Sequence, residues 1–218
     1  EDAAFAWDLR SDLMTAIAHA ERMSARLTNW GYSVSTGPLV WNRFKTQLSW
    51  QTGPSTLPLV WAESVASDGK FEFRALKRNH SPFFRLQLGD EWLIVTQSCV
   101  LVQRTTAKEQ NRRLIAAELP TSFLERHGGV VVENHLNMVR PGPAAAVPPA
   151  VVAAVLNSEI VDQLFRCISG SVAVSAFELD ALPLPEATEL TELARLVREG
   201  APRQVIEAEC RRLYGVAP

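Results

Sequence analysis

An α+β fold is predicted for this chain, with a strand-rich twisted sheet or open barrel in the centre and helices at the N-terminus and C-terminus. Three observations predict it. Apolar residues recur at three- and four-residue steps between residues 8 and 29. From residue 32 to about residue 140, short β-rich runs alternate with turn residues. Helical periodicity then returns after a Pro/Ala linker at residues 141–149.

The first helix is predicted over residues 8–29, where an apolar stripe lies on one face. The stripe consists of Leu9, Leu13, Ile17, Ala20, Met23 and Leu27. Asp8 is placed to cap the start of this helix, and Gly31 is able to adopt the left-handed conformation just beyond its end.

Eight β-rich runs occupy the centre of the chain. They are residues 32–35, 57–65, 70–74, 83–88, 92–96, 99–104, 113–117 and 130–139. Turn residues such as Gly37-Pro38 and Gly53-Pro54 separate them. Many short strands at this spacing indicate a mostly antiparallel arrangement.

Four helices are predicted after the linker, over residues 148–157, 158–168, 186–199 and 203–214. Asn157-Ser158 is placed to cap the second, and Pro202 begins the last.

The composition excludes several classes of protein. No apolar run reaches the ~18 residues of a membrane span, so no membrane partner is expected. The acidic N-terminus without Met is not a signal peptide and is what a cut inside a longer protein would leave. Three cysteines, Cys99, Cys167 and Cys210, form no CxxC pair, which argues against a zinc site or disulfide framework and favours a cytoplasmic location.

Positive charge is concentrated in the middle third of a chain whose net charge is −2. Between residues 70 and 113, nine Lys/Arg face four Asp/Glu, whereas from residue 178 onward eight acids face five bases. Solvated loops would explain this equally well, so the asymmetry permits nucleic-acid binding without establishing it.

Motifs for catalysis are not found. The chain has no glycine-rich cofactor loop, and its only Pro-Pro pair, Pro148-Pro149, lacks the polar and aromatic neighbours of an amino-methylating loop. The four histidines show no metal spacing, and Glu72 lacks the acidic and Lys partners of a nuclease centre. We therefore expect no catalytic residue, no cofactor site and no metal site in this chain.

Four polar groups have the composition of DNA-contacting segments, because Arg, Lys, Asn and Gln bind base edges and Thr and Lys bind phosphates. They are Trp41, Asn42, Arg43 and Lys45; Lys77, Arg78 and Asn79; Arg104, Thr105, Thr106 and Lys108 with Arg112 and Arg113; and Asn134 and His135. Each group alone is also consistent with an ordinary surface loop, and Trp41 with the core. For Arg104, an ion pair with Glu109 or Glu118 is the structural alternative.

Several segments, in order, resemble the C-terminal part of adenine-specific DNA methyltransferases of restriction–modification systems. They are residues 35–43, 101–106 with 111–117, 130–137, and 156–185, where Leu156-Asn157-Ser158 opens a helix and Ser169-Gly170-Ser171 follows it. The last segment is also similar to recognition halves of type I restriction specificity subunits.

The resemblance implies that residues 31–185 form a target-recognition domain that binds double-stranded DNA beside the target adenine. It implies that residues 1–30 join a catalytic methyltransferase domain of the same polypeptide, which uses S-adenosylmethionine, and that residues 186–218 are C-terminal helices. Ser169 and Ser171 would bind phosphate, although a packing helix with a tight turn explains them equally well. The resemblance favours a phosphate role for Arg104.

Two other functions remain open. The chain is consistent with a fragment of a type I specificity subunit, or with a protein-interaction domain that makes no DNA contact. The second alternative predicts basic residues scattered over the folded surface rather than gathered in one place.

Overall fold

The computed structural model describes the backbone of residues 2–105, 112–169 and 173–217, and the side chains of these ranges from residue 11 onward. Thr106, Lys108 and Ser171, three of the residues expected to contact DNA, lie outside the described residues. The α+β expectation is confirmed, and the strands divide into two sheets.

The first sheet has the order β1-β9-β6-β7 and is antiparallel throughout. The second has the order β2-β4-β3-β8-β5, in which only β3 and β8 run parallel. The strands are β1 Tyr32–Thr36, β2 Leu48–Ser49, β3 Thr56–Val60, β4 Phe83–Arg85, β5 Ile94–Val95, β6 Val100–Gln103, β7 Ala116–Glu118, β8 Val130–Val132 and β9 Leu136–Pro141.

Helices precede, interrupt and follow the strands. They are α1 Asp2–Ala20, α2 Thr121–His127, α3 Pro149–Leu156, α4 Glu159–Ile168, α5 Ala176–Ala181, α6 Thr191–Arg198 and α7 Arg203–Leu213. The predicted bounds of α3, α4 and α7 agree with these to within about a residue. The hydroxyl of Ser158 caps α4 as expected, because it accepts the backbone N–H of Val161.

The prediction of a helix over residues 8–29 was wrong at both ends, since α1 covers Asp2–Ala20. The backbone of Ala25 instead pairs with Leu184, and the Trp30 indole N–H donates to the carbonyl of Pro185 at 2.9 Å. These long-range bonds hold the segment after α1 in an irregular path that its apolar periodicity does not reveal. Gly31 does have the expected positive φ, at 83°.

Two further expectations were wrong, and two helices had not been predicted. Residues 70–74 form a single bridge, between Phe71 and Val65, rather than a strand. The run 130–139 is two strands, because Glu133-Asn134-His135 is a tight turn. Residues 121–127 and 176–181 are the helices α2 and α5; the second begins with a capping box between Ser175 and Glu178.

The two sheets and the helices form stacked layers. Successive side chains of one strand point alternately into the core on either side of its sheet, which shows this arrangement. Val100 and Val102 of β6 pack against the helices, whereas Leu101 between them faces the second sheet. In β8, Val131 points to the outer side of the second sheet, where Trp61 and Phe84 are buried. Strands buried on both faces read as continuous apolar runs, which explains their low polarity.

Four strands end at the same edge of this stack. The turn between β8 and β9 fixes the geometry: β3 runs parallel to β8, and β1 and β6 both run antiparallel to β9. The C-terminal ends of β1, β3, β6 and β8 therefore lie next to one another at this edge. We call this the recognition edge; α2 lies at the opposite edge, between the end of β7 and the start of β8.

Candidate nucleic-acid interface

The turn Glu133-Asn134-His135 lies at the centre of the recognition edge. Backbone N–H groups of Glu133 and Asn134 donate to the carbonyls of Val60 and Leu39, at 3.1 and 2.9 Å. The Arg104 backbone N–H donates to the carbonyl of His135 at 2.9 Å, and its guanidinium Nη1 donates to the carbonyl of Asn134 at 2.7 Å. The turn is thus bonded to the ends of β3 and β6 and to the segment that follows β1.

Gly37 explains why the chain after β1 comes so close to this turn. A Cβ atom at this position would lie 2.3 Å from the carbonyl oxygen of Glu133. Only glycine allows the approach, after which Leu39 pairs in parallel with Glu133 and leads into the short 3₁₀ helix Trp41–Arg43. Asn42, Arg43 and Lys45 are exposed there.

The indole of Trp61, directly after β3, connects two of the predicted polar groups. Trp41 packs edge-on against it, with ring centroids 6.2 Å apart. The imidazole of His80 stacks on the Trp61 indole, with ring centroids 3.8 Å apart and 10° between the ring planes. The indole N–H donates to the carbonyl of Ser81. Lys45 places its ammonium 5.7 Å from the Trp41 ring, within cation–π range.

The carboxylate of Glu63 holds the loop that carries the second polar group. Its Oε1 accepts the backbone N–H groups of Leu76 and Lys77, at 2.6 and 3.3 Å, and lies 2.9 Å from Nδ1 of His80. These bonds fix both ends of the loop, so Lys77, Arg78 and Asn79 are exposed from a defined backbone.

A cleft of about 450 Å³ lies between this loop and the Glu133–His135 turn. Its charged and polar lining comprises Glu63, Ser67, Arg74, Lys77, His80, Gln103, Thr105, Glu133 and His135. The amide of Gln103 is buried and donates to the carbonyls of Ala62 and Val65, so it stabilises the wall. The groups available to a ligand include the cations Arg74 and Lys77, the exposed Ser67 and Thr105, and the exposed ring of His135.

Arg112, Arg113 and Ser169 are placed differently. The Arg112 guanidinium donates to the carbonyl of Asn157, and burial lowers its pKa. The backbone N–H of Arg113 donates to the carboxylate of Asp162 at 2.6 Å. Ser169 follows α4, and its hydroxyl helps to lower the pKa of Glu178. The fold therefore brings the groups at 41–45, 77–79, 104–105 and 134–135 together, and directs Arg112 toward the helices.

Trp61 and Glu63 are two residues at this edge that sequence reasoning did not single out. The only signal for Glu63 is a carboxylate next to an apolar run, and nothing local shows that its partners are 13 to 17 residues away. Among the described side chains, no group of three or more His, Cys, Asp or Glu could hold a metal ion. None of the helices that the structure describes has the length and hydropathy of a membrane span.

The sequence is similar to type II methyltransferases. It is 31% identical to M.BsuBI of Bacillus subtilis over 170 residues, which are 76% of this chain and 33% of that protein. It is 24% identical to M.PstI of Providencia stuartii over 176 residues, which are 80% of this chain and 34% of that protein. The chain thus spans about a third of the length of these curated relatives. No family model matches it.

Proposed function

We propose that this chain is the DNA target-recognition module of an N6-adenine DNA methyltransferase of a restriction–modification system. A separate catalytic domain of the same polypeptide would transfer the methyl group, in the bacterial cytoplasm. One observation carries the proposal: four polar groups that lie between Trp41 and His135, up to 94 positions apart in sequence, meet at one edge of the fold. The similarity to type II methyltransferases supports it.

The recognition edge contains two kinds of polar group that suit two roles in DNA binding. Arg43, Lys45, Lys77 and Arg78 are exposed cations on long side chains, which suits contact with phosphates. The Glu133–His135 turn is held by backbone bonds on several sides, and such rigidity is what base reading requires. We infer that the cations position the duplex and that the turn reads its bases.

S-adenosylmethionine, which supplies the methyl group in such enzymes, does not fit a site made of the described residues. Its usual cradle is a glycine-rich loop from a strand into a helix. Here the connection from β7 to α2 is Leu119-Pro120, and the connection from β9 to α3 is rich in Pro and Ala. The proposal therefore assigns no step of methyl transfer to this chain.

Selection from a randomised pool of DNA duplexes tests the proposal. The 218-residue chain, at low ionic strength, is expected to enrich one sequence over the pool. Because docking on phosphates releases counterions, the logarithm of its affinity should fall linearly with the logarithm of salt concentration. Failure to enrich any sequence, together with affinity that does not depend on salt, would favour the protein-interaction alternative.

A matched pair of variants locates the binding surface. Lys77→Ala/Arg78→Ala removes two cations from the recognition edge, and Arg195→Ala/Arg198→Ala removes two exposed cations from α6 on the helical side. The net charge changes equally in both. We expect the first variant to reduce the salt slope by about two and the second to leave it unchanged. Equal losses would mean that the edge is not the DNA-binding surface.

A further inference from the structure

Among the residues that the structure describes, His135 is the hydrogen-bond partner of the Glu133 carboxylate. The Glu133 side chain is fully buried, whereas 54% of the His135 side chain is exposed. Oε2 accepts the backbone N–H of His135 at 2.8 Å, and the ring nitrogen Nδ1 lies 2.8 Å from Oε1 and 2.9 Å from Oε2. A buried carboxylate needs such partners to offset the loss of hydration.

This contact decides which nitrogen of the ring carries the proton. An ionised carboxylate only accepts hydrogen bonds, so Nδ1 of His135 must be the donor. In the neutral ring, Nε2 is then the acceptor, and it lies on the side of the ring away from Glu133. His135 lines the cleft of the recognition edge, so this acceptor faces the space where a ligand would lie.

The position of the ring is set by bonds from three directions. Asn134 donates to Leu39, Arg104 donates to the carbonyls of Asn134 and His135, and Glu133 holds the ring itself. A side chain fixed in this way offers one hydrogen-bonding group at one place, which long exposed cations do not.

We propose that His135 accepts a hydrogen bond from an exocyclic amino group of adenine or cytosine in the major groove, and that Glu133 is its positioning residue. The inference rests on the proposed function. In the major groove, the hydrogen-bond donors on base edges are adenine N6 and cytosine N4, whereas guanine and phosphate offer acceptors. A fixed neutral acceptor therefore selects an amino group and disfavours a guanine edge.

The test uses the sequence enriched from the randomised pool. Each adenine and each cytosine in turn is replaced by an analogue that lacks the exocyclic amino group, and affinity is measured at pH 8, where histidine side chains are generally neutral. At one position, wild type should lose roughly tenfold in affinity. His135→Asn should be insensitive to the analogue there, because Asn retains an amide donor for Glu133 but lacks the atom that corresponds to Nε2.

Two more variants separate positioning from folding. Glu133→Gln can donate to Nδ1 and so favour the tautomer with hydrogen on Nε2; its preference for the amino group should disappear while thermal unfolding stays cooperative. His127→Asn, on α2 at the opposite edge, is the matched control and should behave as wild type. If His135→Asn unfolds, His135→Gln, which places an amide oxygen near the position of Nε2, should keep part of the sensitivity.

The dependence of affinity on pH gives an independent readout. Among the residues that the structure describes, the charged and titratable groups that face His135 are Glu133 and Arg104 beside it, and Glu63, Arg74, Lys77 and His80 across the cleft. Protonation at Nε2 turns an acceptor into a donor, so the amino-group preference should be weaker in acidic solution than at pH 8. Affinity that rises on acidification, equally for all sequences, would show that His135 contacts phosphate and would overturn the inference.

The remaining outcomes are decisive as well. If a sequence is enriched but wild type and His135→Asn respond alike to every analogue, the inference fails and the proposed function stands. A pool from which no sequence is enriched, together with affinity that does not depend on salt, overturns both.

Discussion

The recognition edge and the corner between α3 and α4 contain the same types of residue in opposite arrangements. At the corner, the polar groups bond to one another and to the backbone. The carboxylate of Asp162 accepts the N–H groups of Arg113 and Leu114, at 2.6 and 2.7 Å, and lies 2.9 Å from the guanidinium of Arg166.

At the same corner, the side-chain amide of Asn157 pairs with the backbone of Ala116 as a neighbouring strand would. Its side-chain amide donates to the carbonyl of Ala116 and accepts the N–H of Ala116, and its own carbonyl accepts Arg112. The Leu156-Asn157-Ser158 segment therefore has a structural explanation: a core side chain, a partner for the first residue of β7 and a helix cap.

At the recognition edge, by contrast, one half-buried and one buried carboxylate hold neighbouring groups so that other polar groups point outward. Glu63 fixes the loop of Lys77, and Glu133 fixes the ring of His135. The difference shows that Arg, Asn and His indicate a binding surface only where the fold has not already supplied them with internal partners. Changes at the corner should therefore reduce stability, and changes at the edge should reduce DNA binding.

The largest effect is expected at the corner. Asp162→Ala removes the acceptor of the buried Leu114 N–H, the half-buried Arg113 N–H and the Arg166 guanidinium, which should lower the free energy of unfolding by about 3 kcal/mol. Chemical denaturation would measure this. Asp162→Asn retains one acceptor oxygen and should lose less. DNA affinity per folded molecule should not change; a loss of affinity without a loss of stability would place the corner in the DNA-binding surface.

Arg104 links the two properties, because its guanidinium holds the Asn134 carbonyl and lies at the edge. Arg104→Ala should destabilise the protein by about 1.5 kcal/mol, the typical contribution of a charged hydrogen bond. It should also weaken binding to all sequences alike and reduce the salt slope by about one. Arg126→Ala on α2 is the control. Loss of preference at a single base pair would instead identify Arg104 as a base reader.

Glu63 tests whether a carboxylate at the edge acts through the loop that it holds. Glu63→Ala frees the backbone N–H groups of Leu76 and Lys77 and should reduce DNA affinity roughly fivefold, because the loop must then be ordered on binding. The salt slope should stay the same, since no cation is removed. Glu63→Gln still has an oxygen that accepts these bonds, so its DNA affinity should lie between those of the wild type and Glu63→Ala. A changed slope would contradict the positioning role.

The smallest effect concerns the three thiols. Burial raises the pKa of Cys99 and of Cys210 to about 12, whereas Cys167 on α4 is exposed. Iodoacetamide at pH 8 should therefore alkylate Cys167 alone in the folded protein and all three thiols in urea, as mass spectrometry would show. Because the pKa of the two buried thiols is higher in the folded state, stability should be complete below about pH 9 and decrease as the pH rises toward 12. Rapid alkylation of Cys99 or Cys210 would contradict their burial.

Much of the local structure follows from sequence alone, where short-range physics decides it. Proline and serine at the starts of α3, α4 and α7, and the β-rich runs of β1 and β6, are properties of a few neighbouring residues, and the structure confirms them. The sequence also determined which four segments are rich in DNA-contacting residue types.

Only the tertiary structure decided which of these segments meet. The path after α1 depends on Leu184 and Pro185, more than 150 residues away, and no periodicity within residues 8–29 reports such a bond. Likewise, Arg104 and Arg112 are alike in sequence, yet one bonds to the Asn134 turn and the other to the end of α3. Whether a polar side chain is presented or internally satisfied depends on acceptors supplied from distant parts of the chain, and folding alone brings those within hydrogen-bonding distance.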